Sequence, residues 1–332
     1  MQSFPSPRRV RLPKRTAPSG EHVAEITLSV HEAGQGPAVV LCHGFPELAY
    51  SWRHQLRALA DAGYRVIAPD QRGYGASDAP EPVEAYGIEQ LTGDLAALLD
   101  ALGIERAVFA GHDWGGFIAW AMPVMHPARV AGVIGVNTPY MPFPTTGQLR
   151  KAFTEDERLY ILWFQQPGVA EAVLDRNPRL VFEKLMCRAA PIRGSMIQAG
   201  RMGADANPFR RLETMQPSGP PLLSEAEIEV YAKAYASCGF RGAINWYRNV
   251  DRNQARFPEV STRPVALPCL MITAEWDAAL PPDMAKHMPS LCSDLEMHMI
   301  PACGHWTQQE KPEELNRLMI DWLTRRFAAA KR

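Results

Sequence analysis

The stretch from Ala107 to Gly116, Ala-Val-Phe-Ala-Gly-His-Asp-Trp-Gly-Gly, most constrains what this chain can become. An apolar run ends in Gly111, a carboxylate stands at Asp113, Gly115 and Gly116 follow, and Phe117 to Met125 reads as a helix. Glycines on both sides of one polar residue suit a strand that turns sharply into a helix. No bulky side chain then blocks the turn, and the central residue is pushed into a cleft. This is a nucleophile-elbow pattern with aspartate where serine is usual. A carboxylate with a solution pKa near ~4 is ionised at neutral pH and needs no base to activate it. It displaces at saturated carbon to give an alkyl ester, whereas a serine would be acylated by a carbonyl substrate. The same glycines also fit an ordinary βα turn with an acidic N-cap, so the motif needs partners elsewhere in the chain.

Strand and helix alternate around the elbow. His22 to His31 reads as an antiparallel strand, and Gly34-Gln35-Gly36 as its turn. Ala38 to Cys42 is a continuous apolar run, the mark of a strand buried on both faces of a parallel sheet, and Tyr64 to Pro69 reads as the next buried strand. Trp52 to Ala62 suits a helix. Ile88, Leu91, Leu95, Leu98, Leu99 and Leu102 recur at helical spacing before Gly103. Val130 to Val136 is a further strand, and the alternation predicts a parallel α/β sheet with right-handed crossovers. From Thr138 to about Asp251 only helical signals are found, among them Ser224 and Glu227 as a capping box with Gly239 at the helix end. Strands resume at Pro268 to Ala274 and Glu296 to Ile300, and Pro312 opens the last helix. The expected organisation is an irregular basic arm over 1–20, a core over 21–137 and 252–332, and a helical lid over 138–251.

Composition excludes several functions. With 332 residues, 46% apolar residues and a net charge of −1, nothing steers the chain to nucleic acid or a membrane surface. No run approaches the ~18 apolar residues of a membrane span. The basic start, with Arg8, Arg9, Arg11, Lys14 and Arg15 among prolines, has no apolar segment after it and does not read as a secretory signal. Six cysteines without paired spacing read as free thiols, which points to a cytoplasmic protein.

Ligand-handling residues of such sheets gather at the carboxyl ends of the strands. Asp277 follows the run Leu270 to Ala274, and His305 lies between the last strand and the last helix, in Ala-Cys-Gly-His-Trp. The order Asp113, Asp277, His305 matches the nucleophile, acid, histidine order of α/β-hydrolases. An ester on Asp113 must be hydrolysed, and an imidazole with a pKa near ~6.5 is suited to activate the water. Asp277 would orient that imidazole and stabilise its charge. Glu275 competes with Asp277 but belongs nearer the strand's edge. Among the nine histidines, His112 should point away from the cleft, His126 sits at a helix end and His287 reads as helical. His43-Gly44-Phe45-Pro46-Glu47 follows a buried strand, where backbone N–H groups of Phe45 and Trp114 could form an oxyanion hole. Phe45-Pro46 is a candidate cis peptide.

From about Val23 to Phe327 the chain resembles an epoxide hydrolase of the α/β-hydrolase superfamily, close to the hydrolase part of the soluble type. The likeness rests on His43 to Glu47, Gly111 to Gly116, Cys303 to Trp306, and two lid segments, Tyr160 to Gly168 and Phe240 to Asn249. It implies an α/β-hydrolase fold: a mostly parallel twisted sheet flanked by helices, with the helical cap inserted after the sixth strand. The phosphatase-like domain of the mammalian enzymes has no counterpart in these residues, so no phosphatase activity is expected. The lid tyrosines cannot be ranked from the residues alone. The resemblance selects Tyr160 and Tyr247, and a phenol near pKa ~10 can donate to the alkoxide that ring opening creates.

The expected reaction is therefore an epoxide opened to a vicinal diol through an ester on Asp113, without cofactor or metal. Its partners are a small apolar epoxide and water, with a homodimer as an option. Phe45, Pro46, Trp114 and Trp306 are the expected pocket residues. Trp163, Phe164, Met186, Met196, Met202 and Phe209 add to an apolar lid. The alternatives are a haloalkane or haloacid dehalogenase using the same aspartate, and a ligand-binding α/β-hydrolase without activity. Haloacid enzymes of the fluoroacetate type carry arginine after the nucleophile, where this chain has Trp114.

Overall fold

A computed structural model describes residues 4–191 and 205–327. Eight strands form one sheet: β1 (Arg8–Leu12), β2 (Ile26–Ala33), β3 (Ala38–Cys42), β4 (Arg65–Asp70), β5 (Ala107–His112), β6 (Val130–Val136), β7 (Val265–Ala274) and β8 (Cys292–Ile300). Their order is β1-β2-β4-β3-β5-β6-β7-β8. β1 and β2 run antiparallel to their neighbours, and every pairing from β4 to β8 is parallel. The elbow strand β5 lies near the centre, between β3 and β6.

Two apolar layers cover the sheet, and the two-residue period of a strand divides the side chains between them. Val40 and Cys42 of β3 face one layer, with α2 (Ile88–Ala101), α3 (Trp114–Met125) and the inserted helices. Val39 and Leu41 face the other, with α1 (Arg53–Asp61) and the final helix, Pro312–Arg326. All four are 0% exposed, which is why the run is apolar throughout instead of alternating.

Between β6 and β7 the described residues contribute no strand to this sheet. They form α4 (Thr146–Arg150), α5 (Tyr160–Trp163), α6 (Val169–Leu174), α7 (Pro178–Leu185), α8 (Glu225–Cys238), α9 (Arg241–Arg248) and α10 (Val250–Arg256). The capping box at Ser224 and Glu227 and the stop at Gly239 are both present. α10 runs across the expected boundary at residue 251, because the first proline able to end it is Pro258. Met196 and Met202 lie outside the described residues. No described helix is long and apolar enough to cross a membrane.

The N-terminal arm is not irregular, contrary to the sequence expectation. Arg8–Leu12 is an edge strand paired with Ile26–Val30, burying Val10 and Leu12 and turning Arg9 and Arg11 outward. Pro7 and Pro13 flank this strand without interrupting its hydrogen bonds, so they mark its two ends. Its arginines pair within the chain: Arg8 with Glu32, Arg9 with Asp78, Arg11 with Glu25 and Arg15 with Asp94. Leu12 is 0% exposed, so Leu12→Ala should lower the unfolding free energy by about 2–4 kcal/mol in urea titrations. A change near zero would mean that the arm is a detachable appendage.

Candidate active site

Asp113 stands between β5 and α3 with φ 50° and ψ −122°, a backbone state that disfavours a residue with a side chain. The close packing around it forces the turn. A Cβ on Gly115 would lie 2.1 Å from the carbonyl oxygen of Cys42, so only glycine lets α3 start this close to β3. Thr138 Oγ1 donates to the Asp113 carbonyl at 2.8 Å and pins the bend from the end of β6. The carboxylate is thereby aimed at the loop after β3, where the Phe45 N–H donates to Oδ1 at 2.8 Å. The Trp114 N–H also faces it. Phe45-Pro46 is cis.

His305 and Asp277 reach the same place from the ends of β8 and β7. His305 Nδ1 donates to Asp277 Oδ2 at 2.9 Å, while its Nε2 lies 3.8 Å from Asp113 Oδ2, longer than a hydrogen bond. Asp277 is 2% exposed and accepts further bonds from the Ala279 and Leu280 N–H groups at 2.8 and 3.0 Å. Burial alone would raise its carboxyl. The charge and hydrogen bond of His305, with the Leu280 N–H and the Asn137 amide, outweigh burial and hold it at about 2. For His305 burial favours the neutral ring, but Asp277, Asp113 and Glu47 prevail and raise it to about 9. Burial pushes Asp113 upward from its ordinary value against the opposing pull of His305, His112 and the two N–H groups.

Glu275 is placed elsewhere: it accepts the Ala302 N–H at 2.8 Å and braces the loop that leads to His305. His112 points beneath the site. Its Nδ1 faces the Glu47 carboxylate at 2.8 Å and its Nε2–H donates to the His305 carbonyl at 2.7 Å. Both side chains are 0% exposed, so this buried pair supports the His305 loop from below. Asn137, with φ 62° at the end of β6, donates to Asp277 Oδ2 at 2.6 Å. Neither support was identified from sequence, although Asn137 occupies a strand carboxyl end and Glu47 belongs to the His-Gly-Phe-Pro-Glu run. Among the described residues no group of three or more His, Cys, Asp or Glu is placed to hold a metal ion.

Tyr160 opens α5 and Tyr247 lies in α9, on opposite arms of the insertion. Their rings approach to 5.8 Å between centroids at 78°. Both phenols line a cavity of about 200 Å³ together with Asp113, His305, Phe45, Pro46 and Trp306. Burial, reinforced by the Asp113 charge, pushes both phenols upward, so each stays a neutral donor across the ordinary pH range. Trp114 does not line this cavity. Its ring faces a smaller one of about 70 Å³ with Phe117 and Phe143, while its edge contact with Tyr247 (5.0 Å) forms part of the wall between. Phe209 and Leu185 complete the apolar side.

The His305–Asp277 pair has a pH signature. A histidine raised above its ordinary ~6.5 contributes its full stabilisation below that value and loses it as pH climbs through about 9. The stability gap between wild type and Asp277→Asn, followed by urea midpoints from pH 6 to 10, should therefore narrow toward the alkaline end. In the variant the His305 imidazole, followed by NMR, should titrate well below its wild-type value. An unshifted imidazole would remove Asp277 from the pair.

Comparison with known proteins adds to this geometry. Residues 37–312 match the family model described as the alpha/beta hydrolase fold. The chain is 43% identical over 299 residues to bifunctional epoxide hydrolase 2 of Sus scrofa, covering 90% of this chain and 53% of that protein. It thus spans about half the length of the mammalian relatives it matches. It is 41% identical to epoxide hydrolase A of Mycobacterium tuberculosis, covering 90% of this chain and 94% of that one. The crystal structure of epoxide hydrolase A from Mycobacterium thermoresistibile superposes with a TM-score of 0.82 at 39% identity, over 96% and 98% of the two chains. The chain belongs to the α/β-hydrolase superfamily and, within it, to the epoxide hydrolases.

Proposed function

We propose that this protein hydrolyses a small apolar epoxide to a vicinal diol through an ester on Asp113, with residues 138–251 as the lid over the site. One observation carries the reading: a carboxylate and two neutral phenols share one cavity, with an imidazole 3.8 Å behind the carboxylate. Asp113 Oδ2 attacks an epoxide carbon while Oδ1 stays on the Phe45 N–H. The carbon–oxygen bond breaks, its electron pair goes to the ring oxygen, and a phenol of the Tyr160–Tyr247 pair supplies the proton.

Alkylation neutralises Asp113 and removes one of the three negative charges that hold the His305 proton. The imidazole then gives that proton up to refill the phenol, whose conjugate base is the stronger one. Neutral His305, oriented by Asp277, takes a proton from water as the oxygen attacks the ester carbonyl. The oxyanion forms on Oδ1 against the Phe45 and Trp114 N–H groups. Collapse releases the diol with the proton from His305; the second water proton, left on the Asp113 carboxyl, passes to His305 and restores the ionised carboxylate beside a charged imidazole, which balances one epoxide and one water against one diol. No cofactor enters the scheme.

Among the described residues that line the cavity, the side chains other than Asp113 and His305 are uncharged, which supports a neutral substrate over a haloacid. Six free cysteines support a reducing, cytoplasmic setting. Styrene oxide should yield diol, whereas 1-chlorobutane should release no chloride. His305→Gln should trap the ester, read as an intact-mass gain equal to the substrate. Asp113→Asn, assayed before deamidation can restore the acid, should lower turnover by about 10³-fold or more. Tyr160→Phe and Tyr247→Phe should each slow alkylation, and the double change should nearly stop it. Chloride release without diol would favour the dehalogenase reading.

A further inference from the structure

Arg248 follows Tyr247 on α9 and has no part in the scheme above, yet its side chain is only 6% exposed, beside Glu171 at 12%. A guanidinium leaves water only with several acceptors in place. Nη1 and Nη2 donate to the two Glu171 oxygens at 2.7 and 3.1 Å, and Nη1 also reaches Asn245 Oδ1 at 2.9 Å. Further bonds run to the turn after α5. Nε donates to the Phe164 carbonyl at 2.8 Å and Nη2 to the Gln166 carbonyl at 3.1 Å. A return tie comes from Gln165, whose Nε2 donates to the Tyr247 carbonyl at 3.1 Å and to the Ile161 carbonyl at 2.8 Å.

These bonds join the segment that carries Tyr160 to the segment that carries Tyr247. α5 is a single turn of helix, too short to hold its own position without such support. The planar fork of arginine fixes the direction of each bond, and Glu171 fixes the fork.

We infer that Arg248, seated by Glu171, is a positioning residue that sets the spacing between the two phenols; this rests on reading those phenols as the acid pair for ring opening. An epoxide oxygen is gripped by both hydroxyls only at one separation, and a misplacement of about 1 Å can cost on the order of 10²-fold in rate. Lysine keeps the charge but cannot hold Glu171, Phe164 and Gln166 together in one plane. The loss should fall on ester formation, where the phenols act, and leave ester hydrolysis by His305 nearly unchanged.

Single-turnover tryptophan fluorescence with styrene oxide separates the two steps. Arg248→Lys should slow ester formation by about 10- to 100-fold and change ester hydrolysis by less than about threefold. Added to Tyr160→Phe, it should cost less than about threefold more, because one partner of the spacing is already gone. Glu171→Gln keeps the shape, removes the charge and should slow the same step by a smaller factor. It decides by the same criteria if Arg248→Lys does not fold. Ester formation at the wild-type rate, equal slowing of both steps, or an undiminished effect on Tyr160→Phe would overturn the inference. If Tyr160→Phe and Tyr247→Phe themselves leave ester formation intact, the reading of the phenols fails and the inference falls with it. If they slow it and neither Arg248→Lys nor Glu171→Gln does, only the inference fails.

Discussion

An ionised carboxylate set against an apolar cavity costs several kcal/mol unless donors and opposite charge compensate it. Asp113 is in that position, and much of the surrounding structure supplies the compensation. The Phe45 N–H comes from the loop after β3, the Trp114 N–H from the first turn of α3, and the positive imidazole of His305 from the loop after β8. His305 in turn holds its charge because Asp277 lies against Nδ1 at the end of β7. Burial pushes the Asp113 carboxyl upward, and the imidazoles of His305 and His112 with the two N–H groups pull against it.

The fold delivers these groups because parallel strands end on one side of the sheet. β3, β5, β6, β7 and β8 each contribute a residue at their carboxyl ends: Phe45, Asp113, Asn137, Asp277 and His305. A lower tier holds the loops at the right height. Glu47 and His112 lie under the His305 carbonyl, and Asn137 shares the Asp277 oxygen that accepts the hydrogen bond of the His305 Nδ1–H. The phenols come from outside the sheet, so their placement depends on ties such as Arg248 and Gln165 within the insertion.

Elements with a local signature were legible in the sequence. The elbow, the loop after β3, the order of Asp113, Asp277 and His305, and the capped helix at Ser224 each rest on a few adjacent residues with one physical reading. Features that depend on distant pairing were not. The strand Arg8–Leu12 was hidden by its prolines, since only the presence of β2 beside it shows that they bound the strand. Arg248 and Glu171 meet across α6 and α9, a contact that no spacing encodes. Trp114 carried a motif position but turned toward the second cavity, because the α3 backbone sets its direction.

The central claim is that Asp113 bonds to substrate carbon and is released by water attacking its own carbonyl. A single turnover in ¹⁸O-labelled water, with enzyme in excess over styrene oxide, tests it most directly by mass spectrometry of the peptide that contains Asp113. One labelled oxygen should enter the Asp113 carboxylate, and the diol from that turnover should carry none. A labelled diol beside an unlabelled Asp113 would contradict the account, because water would then have attacked the epoxide itself.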